Sequence, residues 1–312
     1  MAITYFNLNT KGFPVEAHQA NEGQWLTLQR PTPQEIRLIV ERYNVPEDFL
    51  TDPLDQDEAP RVENEEGSIL IIFRIPLPAD ESANDFITTP IGIIITHEIN
   101  IIVGATEVNL FKHFFKPAGL QDFPITRNTL ILSIIEAATQ KYLLYLRHIN
   151  RLQDQIENQL IEDTQNEKLI YLLHLKKSLV IFTTSLKGNN SILYRLRKSL
   201  KVNDDEEEGE ILEDINIDLK QAIEMSEIYT HIIIGTMTTF SSIISNQISF
   251  IMKILTGFTI ILMIPTLITS AYGMNIEGLP FMHSENAFAI ITGICIVSSL
   301  ASLIYLKYKN WF

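Results

Sequence analysis

Hydroxyl and thioether side chains recur at three- and four-residue steps in the last quarter of the chain. The stripe consists of Ser249, Met252, Thr256, Thr259, Met263, Thr266 and Ser270. Residues three and four apart lie on one face of an α-helix. Hydroxyl groups are weak oxygen ligands and leave room for water, whereas a seam of Leu or Ile would be dry. The spacing therefore predicts a pore-lining helix face, and close packing of helices through small residues is the alternative.

The sequence contains two long uncharged runs, and the helices that they form must position this stripe. No Asp, Glu, Lys or Arg occurs from 254 to 276 or from 286 to 306, and about 20 apolar residues are enough to cross a bilayer as a helix. We predict one transmembrane helix at about 251–273 and a second at 286–306, joined by a loop over 274–285. A pair of buried core helices is the alternative, but runs of this length are rarely soluble.

The charges of the chain are divided unevenly. Residues 1–250 hold 36 of the 38 acidic and 21 of the 24 basic side chains, while Lys253, Lys307 and Lys309 flank the two uncharged runs. The positive-inside rule predicts that both termini lie in the cytoplasm, where 307–312 form a basic tail. The expected location is the inner (plasma) membrane, which the chain crosses more than once. The single cysteine, Cys295, excludes intramolecular disulfides. The acidic charge argues against nucleic acid as a partner.

The aqueous part begins with strand-like segments and then becomes helical. Short apolar runs at 1–8, 23–29, 68–77, 85–97 and 99–104, with a helical run at 33–44, indicate an α/β domain over 1–122. Three- and four-residue spacing then predicts a helical hairpin over 123–210, interrupted at Gly188, Asn189 and Asn190. A stalk helix over 211–273 would continue into the first span. The predicted fold class is an α+β membrane protein with a cytoplasmic α/β domain.

The sequence lacks the defining residues of the enzyme motif that it most resembles in spacing. Gly273 and Gly278 have the spacing of a phosphate-binding loop, but Leu279 and Pro280 replace the required Lys and Ser or Thr. We therefore predict no enzyme activity and no cofactor.

The segment between the two spans resembles the signature of the CorA family of magnesium and divalent-cation channels. Tyr272-Gly273-Met274-Asn275 matches the Tyr-Gly-Met-Asn of that family at the outer end of the first span. Its position between two C-terminal spans makes this short match specific. Pro265, the "MKILT" at 252–256, the "KYKNWF" ending and the stretch at 45–63 are also similar to the family. The resemblance covers essentially the whole chain.

The resemblance implies a homopentamer whose stalk helices line a pore, with the second span outside. It also implies a selectivity filter of Gly273, Met274 and Asn275, supported by Tyr272. Because Mg²⁺ holds its waters tightly, a ring of neutral Asn275 amides can accept hydrogen bonds from the hydrated ion without stripping it. A carboxylate ring would bind more tightly, and conduction needs sites that release the ion.

The resemblance further implies gating by cytoplasmic Mg²⁺ held between carboxylates of adjacent subunits. The candidates are Asp214 and Asp218 on the early stalk, with Asp80 or Asp85 in the α/β domain. An ordinary solvated surface charge is the alternative for each of them. The implied function is passive, membrane-potential-driven influx of Mg²⁺, which is both transported and regulatory ion, with Co²⁺ and Ni²⁺ as further candidate ions.

Two other functions stay open at this point. One is a zinc or proton-coupled divalent-metal transporter of the same architecture, and the other is a membrane-anchored acidic sensor without transport. Met274 favours the magnesium channel, because the zinc branch usually departs from Met in this signature. The lipid bilayer is an expected partner for all three functions. The resemblance adds further copies of the chain and divalent cations as partners.

Overall fold

The computed structural model describes residues 3–8, 14–17, 25–65, 67–79, 85–106, 126–162, 166–203, 207–274, 278–281, 284–309 and 311. The chain divides into two compact units, Met1–Met237 and Thr238–Phe312.

The first unit is built on a seven-stranded sheet. Its strands are β1 (Ile3–Leu8), β2 (Pro14–Ala17), β3 (Trp25–Gln29), β4 (Arg61–Glu65), β5 (Ser68–Pro78), β6 (Phe86–Ile95) and β7 (Asn100–Gly104). They lie in the order β2-β1-β3-β7-β6-β5-β4. Only the β3–β7 pair is parallel among these described strands, and the other pairs are antiparallel. The central strands are rich in Ile and Val because both faces of the sheet are covered.

One face of the sheet packs against two helices, α1 (Pro33–Tyr43) and α2 (Glu47–Thr51), followed by a 3₁₀ turn at Asp52–Leu54. Thr32 and Glu35 form a capping box that fixes the start of α1. Alternate residues of the central strands, such as Leu70 and Ile72 of β5, join the buried cluster beneath α1 and α2. This face therefore has a continuous apolar core.

The opposite face carries two long helices, α3 (Arg127–Glu162) and α4 (Asn166–Leu200). The predicted interruption of the second helix at Gly188, Asn189 and Asn190 is wrong, because α4 continues through all three residues. Gly188 lets α4 approach Pro60, whose Cγ would lie 2.8 Å from an added Cβ. Asn189 hydrogen-bonds the backbone of Arg74 in β5. Tertiary contacts thus override the low helix propensity of these residues.

Two further helices follow, α5 (Glu207–Tyr272) and α6 (Ala287–Tyr308). The second part of α5 and the whole of α6 belong to the second unit. By length and composition, three helices among the described residues could cross a membrane, at Glu167–Leu200, Glu207–Tyr272 and Ala287–Tyr308. The apolar window of the first is 39% buried and those of the other two are 6% buried, so the first is a core helix. The predicted α/β domain, long helices and two C-terminal apolar helices are confirmed.

Candidate functional site

The polar stripe lies on an open face of α5. All seven of its side chains, from Ser249 to Ser270, are exposed in the single chain. Three hydroxyls donate to the carbonyl four residues earlier: Ser249 to Ser245 at 2.9 Å, Thr259 to Leu255 at 2.8 Å and Thr266 to Leu262 at 2.7 Å. Since each hydroxyl has one proton, these groups present only oxygen lone pairs outward. The stripe thus offers acceptors, which suit a cation or its bound water.

The face of α5 that contacts α6 is a different one. The Sγ atom of Cys295 lies 4.0 Å from the carbonyl oxygen of Pro265. On the same side of α5, Gly257 is buried and Ile261 and Ile268 are half-buried. At about 100° per residue, this face points roughly opposite to the polar stripe. The stripe is therefore not used for packing of α5 against α6.

The signature follows directly on the last turn of α5. The Gly273 N–H donates to the Thr269 carbonyl at 2.9 Å, and the Tyr272 hydroxyl donates to the Pro280 carbonyl at 2.9 Å. Tyr272 therefore ties the helix end to the far side of the loop. A positive φ of 99° occurs at Gly278, and Gly273 has no positive φ. Met274 is exposed, and Asn275 lies outside the described residues.

The predicted regulatory carboxylates come from two parts of the first unit. Asp85 precedes β6 and its Oδ2 atom lies 3.0 Å from Nδ1 of His174 on α4. Asp214 is exposed and Asp218 is half-buried one turn further along α5, while Asp80 lies outside the described residues. Within the described ranges, no group of three or more His, Cys, Asp or Glu side chains could hold a metal ion. Asp214 and Asp218 are therefore neighbours on α5, while Asp85 is paired with His174 on α4.

The surroundings of Asp218 disfavour its charge. Burial and, secondarily, the neighbouring Asp214 raise the pKa of the Asp218 carboxyl, while Arg147 on α3 opposes this shift. A cation that binds here would relieve the repulsion between the two carboxylates.

Two contacts of the candidate residues were not found from the sequence. His174 is 89 residues from its partner Asp85, so no local pattern connects them. The Tyr272–Pro280 bond joins two residues that are eight positions apart, and no periodicity indicates it. Both contacts depend on the folded chain.

The fold and the stripe define a membrane protein with an α/β domain, long helices and two C-terminal apolar helices. The CorA-like Mg²⁺ transporter protein family matches residues 20–308, so the chain belongs to this family. The chain is 26% identical over 291 residues to the cobalt/magnesium transport protein CorA of Methanocaldococcus jannaschii, covering 92% of this chain and 90% of that protein. The magnesium transport protein CorA of Helicobacter pylori is 24% identical over 309 residues, covering 96% and 93%.

A solved structure has the same fold. The complete structure of the CorA magnesium transporter from Methanocaldococcus jannaschii aligns with a TM-score of 0.84 at 24% identity, covering 100% of this chain and 99% of that chain. The two CorA proteins from Methanocaldococcus jannaschii and Helicobacter pylori are transport proteins by name, in agreement with the expectation of a transporter.

Proposed function

We propose that this protein is a channel for passive Mg²⁺ influx, with Co²⁺ and Ni²⁺ as further candidate ions. The observation that carries the proposal is the row of outward-facing acceptor oxygens on α5, opposite the face that contacts α6. This row leads to the Tyr272–Asn275 signature in a member of the CorA-like family. The names of the relatives support magnesium and cobalt as the transported ions.

The single chain is insufficient for a pore, because the stripe occupies one exposed face of one helix. We propose a homopentamer in which five copies of α5 enclose the conduction pathway and α6 lies outside. The filter would be formed by Gly273, Met274 and Asn275. Five neutral Asn275 amides would accept hydrogen bonds from the waters of Mg²⁺, which loses its hydration shell reluctantly.

The orientation follows from the lysines that flank the apolar helices. We propose that both termini and the acidic first unit lie in the cytoplasm of a cell whose inner (plasma) membrane holds α6 and the end of α5. An inside-negative potential then drives cation entry without nucleotide hydrolysis.

Regulation is proposed to act through carboxylates of the first unit. Mg²⁺ bound between adjacent subunits by Asp214 and Asp218, with Asp80 or Asp85 from a neighbour, would hold the closed state. The raised pKa of Asp218 supports its candidacy, since a bound cation would offset the like-charge repulsion. Asp85 must share its carboxylate with His174.

The test is Mg²⁺ uptake into proteoliposomes under an inside-negative potential. We compare the intact protein with Asn275→Ala and with Asn286→Ala, which removes the same amide from an exposed position before α6. We expect the intact protein and Asn286→Ala to take up Mg²⁺. In Asn275→Ala, we expect uptake to be lost or deregulated. If none of these folded proteins moves Mg²⁺, the proposal is wrong, and zinc uptake with a proton gradient becomes the next measurement.

A further inference from the structure

Two buried hydroxyls join α5 to α4 inside the first unit. Ser226 of α5 is fully buried, and its hydroxyl donates to the Leu179 carbonyl of α4 at 3.0 Å. The Thr183 hydroxyl lies 2.7 Å from the Ser226 hydroxyl and 2.9 Å from the same carbonyl. Side chains of both helices thus converge on one carbonyl oxygen. We call Ser226 and Thr183 the hydroxyl pair.

A second polar attachment lies near the start of α5. The Glu208 carboxylate accepts hydrogen bonds from Thr126 at 2.9 Å and from Asn128 at 3.0 Å. Asn128 also donates to the carbonyl of Leu200, the last residue of α4, at 3.1 Å. The side chain of Asn128 therefore connects the first turn of α5 with the beginning of α3 and the end of α4.

The two attachments lie on the same face of α5. Ser226 follows Glu208 by about five helical turns at 3.6 residues per turn. Between them the residues on this face are apolar and buried, namely Leu212, Ile215, Leu219 and Ala222. Apolar contacts are non-directional, whereas hydrogen bonds require a narrow geometry. The hydrogen bonds of Glu208 and Ser226, at the two ends of this apolar face, therefore determine the register of α5.

A small shift of α5 would break the hydroxyl pair. A shift by one residue turns the helix by about 100° as well as displacing it by about 1.5 Å, so Ser226 no longer faces Leu179 and a buried hydroxyl is left unsatisfied. The neighbouring ion pair of Lys187 and Glu227, at 2.6 Å, is exposed and contributes less to this restraint. Asp214 and Asp218 lie on α5 between the two attachments, and the same helix ends at Tyr272.

We infer that Ser226 and Thr183 are positioning residues for gating. The hydroxyl pair holds α5 in one register on α4, and it thereby sets the cytoplasmic Mg²⁺ concentration at which conduction stops. This inference rests on the proposed function, because it concerns the regulation of that channel.

The hydroxyl pair can be removed without leaving a buried group unsatisfied. In Ser226→Ala, the Leu179 carbonyl keeps the Thr183 hydroxyl as a donor. Thr183→Val preserves the shape of the side chain and leaves Ser226 as the donor to the same carbonyl. Both variants are therefore expected to fold, and Thr183→Ser, which keeps the hydroxyl, serves as the conservative variant.

The experiment measures Mg²⁺ current in inside-out membrane patches while Mg²⁺ on the cytoplasmic side is raised in steps. We expect Ser226→Ala to change the half-inhibiting Mg²⁺ concentration by about fivefold, the effect of one net hydrogen bond on an equilibrium. Thr183→Val keeps the Ser226–Leu179 bond and should change this concentration less. The double variant should match Ser226→Ala, because the bond that Thr183 keeps in that variant lies within α4. Current at the lowest Mg²⁺ should stay as in the intact protein.

Two controls separate gating from structure. Thr230→Ala removes a hydroxyl one turn further along α5 that bonds only the carbonyl of Ser226 in its own helix, and it should leave half-inhibition unchanged, as should Thr183→Ser. Unchanged half-inhibition in Ser226→Ala and Thr183→Val, or a lower maximal current without a shift, overturns the inference while the channel stands. Absence of current in the intact protein overturns the proposed function, and the inference with it.

Discussion

Asp218 is a residue whose own charge is disfavoured by its surroundings. Burial and Asp214 raise the pKa of its carboxyl, so the folded protein binds a proton here more readily than the unfolded chain does. The stabilising contribution of the neutral form is fully present below the ordinary pKa of an aspartate and is lost as pH rises through the raised pKa. At neutral pH the ionised Asp218 therefore lowers the free energy of unfolding.

We expect Asp218→Asn to raise the thermal stability of the full-length protein at pH 7 in the presence of a chelator. The gain should be well under about 1 kcal/mol, because the pair is partly solvated. Melting curves of the purified protein should show the difference between the two proteins shrinking as pH falls below about 4, where Asp218 itself is neutral.

Added Mg²⁺ extends this comparison. If Asp218 helps to hold the regulatory ion, Mg²⁺ should raise the melting temperature of the intact protein more than that of Asp218→Asn. Glu224→Gln, at an exposed position of the same helix, is the matched control and should respond like the intact protein. If Mg²⁺ raised the melting temperature of all three proteins equally, Asp218 would not be part of the proposed regulatory site.

At the scale of elements, α4 is held to the sheet by a side chain that substitutes for a strand. β4 begins at Arg61, opposite Ile72 of β5, so no β4 residue reaches Arg74. Asn189 fills this place: it accepts from the Arg74 N–H at 2.8 Å and donates to the Arg74 carbonyl at 2.8 Å. The Tyr142 hydroxyl donates to the same carbonyl at 3.1 Å. The helices α3 and α4 are thereby both joined to β5 at Arg74.

Removing this amide should destabilise the first unit strongly. Asn189→Ala leaves the partly buried Arg74 N–H without the Asn189 acceptor and removes two hydrogen bonds, which together cost about 2–4 kcal/mol. We expect the melting temperature to fall by roughly 5–10 °C for a unit of this size. Ser191→Ala is the control, because that hydroxyl is exposed and bonds only within α4. A similar small decrease in melting temperature in both variants would contradict this role of Asn189.

The sequence predicts some of these elements and not others, for physical reasons. Runs of Ile and Val indicated β5, β6 and β7, because strands covered on both faces are apolar throughout. The charged β4, with sequence RVENE, was not predicted, since an edge strand needs only its pairing with β5. At the candidate site, helical spacing indicates the stripe, and the resemblance to the CorA family indicates the signature. Neither gives a sign of the His174–Asp85 contact, which joins distant segments.

For the whole molecule, the distribution of apolar surface matters most. The apolar windows of α5 and α6 are only 6% buried in the single chain, so lipid or further copies of the chain must cover them. The charged side chains lie almost entirely before residue 251. This division is the one expected of a membrane protein that carries a large aqueous domain.

A passive channel and a proton-coupled carrier differ in what drives them. At 100 mV, inside negative, the potential contributes about 4.6 kcal/mol to the entry of a divalent ion, which corresponds to roughly 2,000-fold accumulation. We expect initial Mg²⁺ uptake into proteoliposomes to rise with an imposed potassium diffusion potential and to be unaffected by a pH gradient imposed at zero potential. Protein-free vesicles control for leakage. Uptake that follows the pH gradient and ignores the potential would establish the carrier and exclude the channel.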